Sequence, residues 1–321
     1  MQSMKLLAGL LLAGLLLAVS QAAAAATTPV APQPVYEPPV PLLWKVSDHD
    51  NAVYLLGSFH LLKDDDYPLS TDIDRVFADA ERLVFEVPPQ ELDDPTVGRR
   101  FLAAAAYDGP RTLSEVLSPR LREKLRRLMA RQGGSIDQVD GYEPWFVNLS
   151  LLMGLSQSLG FSAEQGLDRH LMERAAAERK PVGGLETLAD QLRVLDGTPM
   201  SEQLVSLGDF LDNPQDMPAK LAELHQAWRD GNAAALGKLT RLQMLEKTPE
   251  TYRTVNVERN DAWVPQLQAM LEAPGEDDVL VVVGALHLLG DDGVVEKLRT
   301  HGYEVERICS ACDGLNAPAA P

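Results

Sequence analysis

Two stretches of this sequence share one pattern: residues 53–66 read VYLLGSFHLLKDDD, and residues 280–292 read LVVVGALHLLGDD. In each, an apolar run ends in Gly-x-x-His-Leu-Leu, and aspartates follow. Apolar runs of this length, rich in β-branched residues in the second case, predict buried β-strands. A glycine at the end of a strand lets the backbone leave the sheet sharply or approach another group closely. We therefore assign a structural role to Gly57 and Gly284.

The elements around these two segments predict the fold class. Residues 42–57 read as a β-hairpin, followed by an amphipathic helix and the short strand LVFEV at 83–87. Near the C-terminus, residues 279–308 again read as strand, loop, helix and strand. Each end of the chain thus forms a βαβ unit with its Gly-x-x-His segment at the first strand-to-helix turn. We expect an α/β domain in which both units join one central, mostly parallel or mixed sheet.

The middle of the chain reads as mostly helical. Ser118 and Pro119 predict the N-cap and first residue of a helix that stops at Gly133 and Gly134. Residues 144–161 are apolar around most of the circumference and predict a buried helix. KPVGGLE at 180–186 reads as a short strand.

The N-terminal region predicts export. Residues 1–26 combine one charge, Lys5, with an apolar run and alanines that offer Ala-x-Ala cleavage sites, as a secretory signal peptide does. An uncleaved anchor is the alternative, but the run is shorter than the roughly 18 residues of a membrane-spanning helix. Residues 27–41 are proline-rich and predict an extended linker. We expect one domain at 42–308, a tail at 309–321, and a periplasmic or secreted protein without stable membrane insertion.

The net charge limits the classes of partner that are expected. The formal net charge is -18, and the sequence has no basic cluster, which argues against nucleic acid as a partner. A peptide or a small molecule is the expected substrate, and the oligomeric state stays open.

Cys309 and Cys312 predict a local disulfide in an exported protein. A redox dithiol is the alternative, but such pairs begin a helix, whereas this one follows a strand-like run.

Three residues at strand ends form a candidate metal site. His60 and His287 each come three residues after a glycine that ends a strand, and Glu86 lies near the end of LVFEV. Ligands of open α/β sheets bind beyond the carboxyl ends of the strands, so the imidazoles converge if their strands are parallel neighbours. Two histidines and a carboxylate bind a divalent cation such as Zn, Mn, Co or Fe and leave positions open for water or substrate. One such segment alone would be structural, and Glu86 alone could face solvent.

Three further residues are candidates for catalysis. Glu186 lies between the short strand and the next helix, where it could be a ligand, a general base, or a first-turn acid favoured by the helix dipole. Arg259 and Asn260 lie on a predicted helix, and a guanidinium there could hold a substrate carboxylate or an oxyanion. A surface ion pair of Arg259 with a neighbouring acid is the alternative.

Other polar residues are expected to have ordinary structural roles. Asp168 reads as a helix N-cap, and the aspartates at 64–66 and 291–292 read as loop and cap residues. His49, His225 and His301 read as turn or surface residues.

Several segments together resemble the TraB/PrgY/GumN superfamily, which includes the TIKI proteases: both Gly-x-x-His segments, LVFEV, GLDRHL at 166–171, KPVGGLETLADQL at 180–192, VERNDAW at 257–263, and residues 281–308. The resemblance covers nearly the whole domain. It implies a fold similar to the erythromycin-esterase and ChaN group, and a metal-dependent hydrolase site. Carried across by motif, the core positions are His60, Glu86 and His287, with Glu186, Arg259 and Asn260 as further candidates.

The expected function is therefore that of an exported metal-dependent hydrolase with protease-like activity. The cation would activate water, Glu186 could transfer the proton, and Arg259 could stabilise the developing charge. ChaN-like relatives are associated with haem binding. The alternative is a non-catalytic metal- or haem-binding or regulatory protein that uses the same histidines.

Overall fold

The computed structural model describes residues 37–312. The predicted signal peptide, the linker up to residue 36 and the tail from residue 313 lie outside the described residues. The strands are β1 Leu43–Ser47, β2 Ala52–Ser58, β3 Arg82–Phe85, β4 Val182–Gly184, β5 Val279–Gly284 and β6 Glu304–Arg307.

The helices fill most of the chain between β3 and β5. The α-helices are α1 Thr71–Asp79, α2 Pro89–Leu92, α3 Val97–Ala105, α4 Leu113–Val116, α5 Pro119–Arg131, α6 Pro144–Ser158, α7 Leu167–Glu178, α8 Leu188–Asp196, α9 Met200–Asp212, α10 Met217–Arg229, α11 Ala233–Leu239, α12 Arg241–Lys247, α13 Pro249–Tyr252, α14 Glu258–Leu271 and α15 Val294–Thr300. Short 3₁₀ helices lie at Asp64–Asp66, Ile136–Gln138, Ala285–Leu288 and Ser310–Cys312, and a π-helical turn at Arg253–Val257. Within this part of the chain, no helix has the length and apolar character that crossing a membrane requires.

The predicted α/β fold with a mixed sheet is confirmed. The strand order is β4-β3-β5-β2-β1-β6. The pairs β4/β3, β3/β5 and β5/β2 are parallel, whereas β1 runs antiparallel to both β2 and β6. The predicted hairpin is β1–β2, and the two βαβ units are β2–α1–β3 and β5–α15–β6. Because β2 and β5 are parallel neighbours, the two Gly-x-x-His segments leave the sheet side by side.

The two strands that carry the motif lie at the centre of the sheet. Every residue of β2 is buried, and β5 is buried as far as Val283. Parallel strands that are covered on both faces read as nearly continuous apolar runs, which explains the composition of both stretches. Helices α1 and α14 add further side chains to the same core: Ile73, Val76, Phe77, Trp263, Leu267 and Leu271. Each such buried side chain contributes about 1.5–3 kcal/mol to folding.

The prediction of a buried helix at 144–161 was wrong. Helix α6 forms over most of that range, but its buried residues are only Pro144, Trp145, Val147 and Ser156. Leu152 is 39% exposed. Val147 packs with α9 residues such as Leu207 in a second apolar cluster, which covers part of the helix surface. An apolar composition does not tell how many neighbours a helix has, and here they are too few to bury it.

The predicted local disulfide is present between Cys309 and Cys312. It lies after β6, beside a short 3₁₀ helix. Between the two cysteines, Ser310 donates from its backbone N–H and its hydroxyl to the buried carboxylate of Asp72 on α1, both at 2.6 Å. The segment is thus attached to the domain by hydrogen bonds that do not depend on the disulfide.

Reduction of this disulfide should have a small effect on stability. The loop that it closes is very short, so the gain should lie well below the roughly 3 kcal/mol estimated for a 15-residue loop. The free energy of unfolding is measured in urea with and without reductant, and a Cys309→Ser, Cys312→Ser double variant is the control. A loss above that figure in either case would contradict the prediction.

Candidate functional site

The candidate site lies where β2, β3 and β5 end, around the bare Cα of Gly284. A Cβ at Gly284 would lie 3.2 Å from Oε1 of Glu86, 3.4 Å from Nε2 of His60 and 3.7 Å from Cδ2 of His287. The three residues predicted as metal ligands therefore surround one point of the backbone. A side chain at residue 284 would enter the space between them.

Gly57 allows Ala285 and Leu42 to lie close to the end of β2. A Cβ at Gly57 would lie 3.2 Å from the Cα and Cβ atoms of Ala285 and from Cβ of Leu42. Ala285 begins the 3₁₀ turn that carries His287. The predicted structural glycines thus let the end of β2 and the turn after β5 pack closely together.

His287 is buried and held in one orientation. Its Nδ1 lies 2.8 Å from Oδ1 of Asn260, and its Nε2 lies 3.0 Å from Nη1 of Arg259. The ring packs against Trp263, with centroids 4.4 Å apart. Burial lowers the pKa of His287 to about 3, which outweighs the attraction of Glu86. The imidazole is therefore neutral, and the tautomer that satisfies both contacts donates from Nδ1 and accepts at Nε2.

His60 lies on the open side of the site. Its side chain is 61% exposed, and its Nδ1 lies 2.8 Å from Oδ2 of Asp168. The charge of Asp168 raises the pKa of His60 above its usual value. Helix α7 reaches the loop because the Leu167 N–H donates to the Phe59 carbonyl at 3.1 Å. The carboxylate and the imidazole thus form an oriented pair at the solvent boundary.

The prediction that Asp168 is an N-cap was wrong. The N-cap of α7 is Gly166, and Asp168 lies in the first turn of the helix. Its carboxylate is bonded to His60, not to the backbone of its own helix. The contact depends on how α7 docks against the loop after β2, and neither local sequence contains that information.

Glu86 is the buried carboxylate between the two imidazoles. It is 8% exposed. Its Oε1 accepts from the Gly284 N–H at 2.7 Å, and its Oε2 accepts from Arg259 Nη2 at 2.6 Å and from Gln191 Nε2 at 3.0 Å. Burial alone would raise the pKa of Glu86, but the positive charges of Arg259 and His60 and the bond from the Gly284 N–H lower it to about 2. Glu86 is therefore ionised.

Arg259 and Glu186 complete the buried cluster. Two bonds join Arg259 to Glu186, Nε to Oε2 at 3.1 Å and Nη2 to Oε1 at 2.6 Å, and Trp263 Nε1 donates to Glu186 at 3.3 Å. The side chain of Arg259 is only 11% exposed. The alternative of a surface ion pair for Arg259 is therefore wrong. With Glu86, the cluster holds two carboxylates and one guanidinium, so its net negative charge favours a cation.

The donor types around Gly284 suit a divalent cation, but their spacing is that of a hydrogen-bonded cluster. Both imidazoles have Nδ1 bonded to an oxygen acceptor, an arrangement common for metal-bound histidines. The Nε2 of His287 lies 3.8 Å from Oε1 of Glu86. However, Arg259 donates to that nitrogen, so binding a cation would require this one contact to break.

A different trio meets the spacing of a metal site. Within residues 37–312, only Asp48, His49 and Asp50 place three ligand atoms within 4.8 Å of one another. They lie in the turn between β1 and β2, and the side chain of His49 is 86% exposed. A possible metal-ligand cluster therefore exists there, although exposed acidic turns commonly hold no ion.

The sequence contained signals for some site residues that were not singled out. Trp263 lies four residues after Arg259, which places both on one face of α14, and the guanidinium lies 4.7 Å from the Trp263 ring. Gln191 has no such signal, because its contact with Glu86 joins α8 to the end of β3.

Gly166 is required for the docking of α7 beside His60. A Cβ at Gly166 would lie 2.2 Å from the carbonyl oxygen of His60, which is backbone and cannot turn away. Gly166→Ala should therefore shift the start of α7 and destabilise the domain by about 1–3 kcal/mol. Urea unfolding checks this, with Gly154→Ala as the control, because a Cβ there meets nothing within 4 Å. Gly154→Ala lies inside α6 and should be at least as stable as wild type, because alanine favours a helix over glycine. A Gly166→Ala variant as stable as wild type would contradict the prediction.

Comparison with known proteins agrees with the resemblance noted from the motifs. The model of the TraB/PrgY/gumN family matches residues 42–307. The chain is 28% identical over 246 residues to the uncharacterized protein YbaP of Escherichia coli (strain K12), covering 77% of this chain and 87% of that protein, and YbaP of Shigella flexneri matches equally. An uncharacterized protein of Treponema pallidum (strain Nichols) is 22% identical over 204 residues, 62% of this chain and 60% of that protein. No solved structure matches significantly.

Proposed function

The chain belongs to the TraB/PrgY/gumN family, and on that premise we propose that it is an exported metal-dependent hydrolase that acts on peptides. The observation that carries the proposal is the orientation of His60 and His287. Each has its Nδ1 bonded to an oxygen acceptor. His60 Nε2, His287 Cδ2 and Glu86 Oε1 all lie beside the bare Cα of Gly284, and His287 Nε2 lies 3.8 Å from Glu86 Oε1.

His60, Glu86 and His287 are the residues proposed to hold the cation, which would be Zn, Mn, Co or Fe by ligand type. When bound, such a cation lowers the pKa of a coordinated water and polarises a carbonyl group. If a cation bound to His287 Nε2, Arg259 would lose its hydrogen bond to that nitrogen. It would keep its bonds to Glu86, Glu186 and the Val255 carbonyl. The buried guanidinium therefore keeps most of its partners.

The remaining side chains orient this set. Both oxygens of Glu186 accept from Arg259, so we assign Glu186 to position the guanidinium, in place of the proton transfer expected from the sequence. The Nη1–H that Arg259 would release from His287 could then meet a substrate carboxylate or a developing oxyanion, while its other four N–H groups keep their partners. Asn260 accepts from His287 Nδ1 and donates from Nδ2 to the Asp292 carbonyl at 2.8 Å, which fixes the imidazole.

Substrate would reach the site from the side of His60. The side chain of His60 is 61% exposed, whereas those of Glu86 and His287 are 10% and 6% exposed. The choice of peptides as substrates rests on the resemblance to the TIKI proteases. The exposed His60 would let substrate and water enter on one side of the site, while the buried His287 would exclude water on the other.

The test is turnover of a peptide library by the purified protein, with and without a metal chelator. We expect cleavage that the chelator stops and that Glu86→Gln removes, because the amide is nearly isosteric but uncharged. Glu276→Gln, at an exposed loop residue, is the matched control and should cleave normally. Absence of cleavage, together with a Soret shift on haem titration that His60→Ala abolishes, would overturn the hydrolase proposal in favour of a haem-binding protein.

The proposal of export rests on residues 1–26. Cell fractionation followed by N-terminal sequencing should find the protein outside the cytoplasm, starting near Ala24 to Thr27. A cytoplasmic protein that retains Met1 would contradict it.

A further inference from the structure

A groove of about 360 Å³ lies between Trp44 on β1 and helices α11, α12 and α15. Its apolar lining includes Leu288, Leu289 and Val295, with alanines and a glycine from α11. Leu242 lines it while being 52% exposed. The volume falls in the range of small-molecule sites, about 300–1,000 Å³. This surface is separate from the polar cluster around Gly284.

The rim of the groove is basic, in a chain whose formal net charge is -18. Lys238, Arg241 and Arg299 line it, against one acid, Glu296. Arg241 is bonded to Asp292, with Nε 2.9 Å from Oδ1, and Arg299 is bonded to Glu296. Lys238 is exposed and has no carboxylate partner among residues 37–312. The groove therefore offers an ammonium group free to meet an anion.

We infer that the groove binds a fatty carboxylate, with the acyl chain along Trp44 and Leu288 and the carboxylate at Lys238. Charge complementarity favours an anion at this rim. Of the lining side chains, only the four charged ones and Trp44 carry polar atoms. A peptide laid in the groove would find few side-chain partners for its amides, and buried unpaired amides are costly. An acyl chain has one polar end and meets the lining without that cost.

Two positions allow a sharp test. Lys238→Glu reverses the free charge at the rim. At Gly237 on α11, a Cβ would meet nothing within 4 Å, so Gly237→Phe fits the backbone while filling the groove. Arg241 is unsuitable as a test residue because it holds Asp292, whose carboxylate also accepts from Tyr252 and whose carbonyl accepts from Asn260 near the candidate site.

The experiment is a calorimetric titration of the purified full chain with decanoate at low ionic strength. We expect binding that Lys238→Glu weakens about tenfold or more and that Gly237→Phe abolishes. Lys220→Glu is the control and should bind as wild type, because Lys220 lines a second apolar groove with Leu152 and Leu221. No binding by wild type, unchanged binding in both groove variants, or equally tight binding of decyltrimethylammonium would overturn the proposal.

Discussion

His287→Ala should weaken binding of a divalent cation at least about 100-fold and leave the protein folded. Loss of an outer hydrogen-bond partner alone costs 10–100-fold in metal affinity, and loss of a ligand should cost more. The change leaves Asn260 Oδ1 without its donor. An unsatisfied buried polar group costs about 1–3 kcal/mol, and a loss of stability of that size should leave the protein folded. Metal affinity is measured by competition with a chromophoric chelator, and folding by far-UV circular dichroism.

His60→Ala should cause a similar loss of affinity with almost no effect on folding, because its side chain is 61% exposed. Residues that act as one unit lose their function with the first removal, so the double variant should bind little worse than either single one. His49→Ala is the matched control, since His49 belongs to the Asp48–Asp50 turn that also meets metal-ligand spacing. A loss of affinity in His49→Ala alone would move the metal to that turn.

Asp66→Ala should destabilise the domain by about 3–5 kcal/mol, as expected when one partner of a buried ion pair is removed. Asp66 is fully buried. Its two oxygens each lie 2.9 Å from Nε2 of His225, it also bonds to Arg229, and Oδ2 accepts from the Lys63 N–H at 2.9 Å. The side chain of Arg229 is only 11% exposed, so its charge would be left without a partner.

Urea unfolding at neutral pH measures this effect, with Asp64→Ala as the control. Asp64 is exposed in the same acidic run, and its replacement should change stability by no more than about 0.5 kcal/mol. Burial opposes ionisation of Asp66, but the bond from His225 and the backbone N–H of Lys63 lower its pKa below 3.8. The stability that Asp66 contributes to wild type is therefore fully present above pH 3.8 and decreases as the pH falls below that value. Equal effects of both variants would contradict the account.

The cluster around Asp66 also supports the loop that carries His60. The rings of His225 and Trp228 contact Phe59, with centroids 5.9 and 5.8 Å apart, and Trp228 Nε1 donates to the Gly57 carbonyl at 2.9 Å. Helix α10 thus packs against the end of β2 and stabilises the loop that follows it. The interpretation of His225 as a turn or surface residue was wrong for this reason.

The sequence predicted the centre of the fold because the evidence was local. Each apolar run ends at a glycine, and a shared frame implied that His60 and His287 follow equivalent strand ends, which the parallel pairing of β2 with β5 confirms. Glu86 was placed at the same edge by the strand that precedes it. These predictions needed only strand direction, and not the packing of any helix.

Contacts made by the helical middle could not be predicted in this way. The bonds of Asp168 to His60 and of Asp66 to His225 join residues about a hundred or more positions apart. In the sequence, an aspartate in a polar run looks solvated, and its burial depends on which helix docks over it. The same holds for α6, whose exposure depends on neighbours that its own composition does not reveal.

The central claim is that His60, Glu86 and His287 form one divalent-metal site. The most direct measurement is bound metal per chain, by elemental analysis of protein purified without chelator. We predict about one Zn, Mn, Co or Fe per chain in wild type and in His49→Ala, and almost none in His287→Ala. A wild-type protein that contains no divalent metal and takes up none of these four ions would contradict the claim.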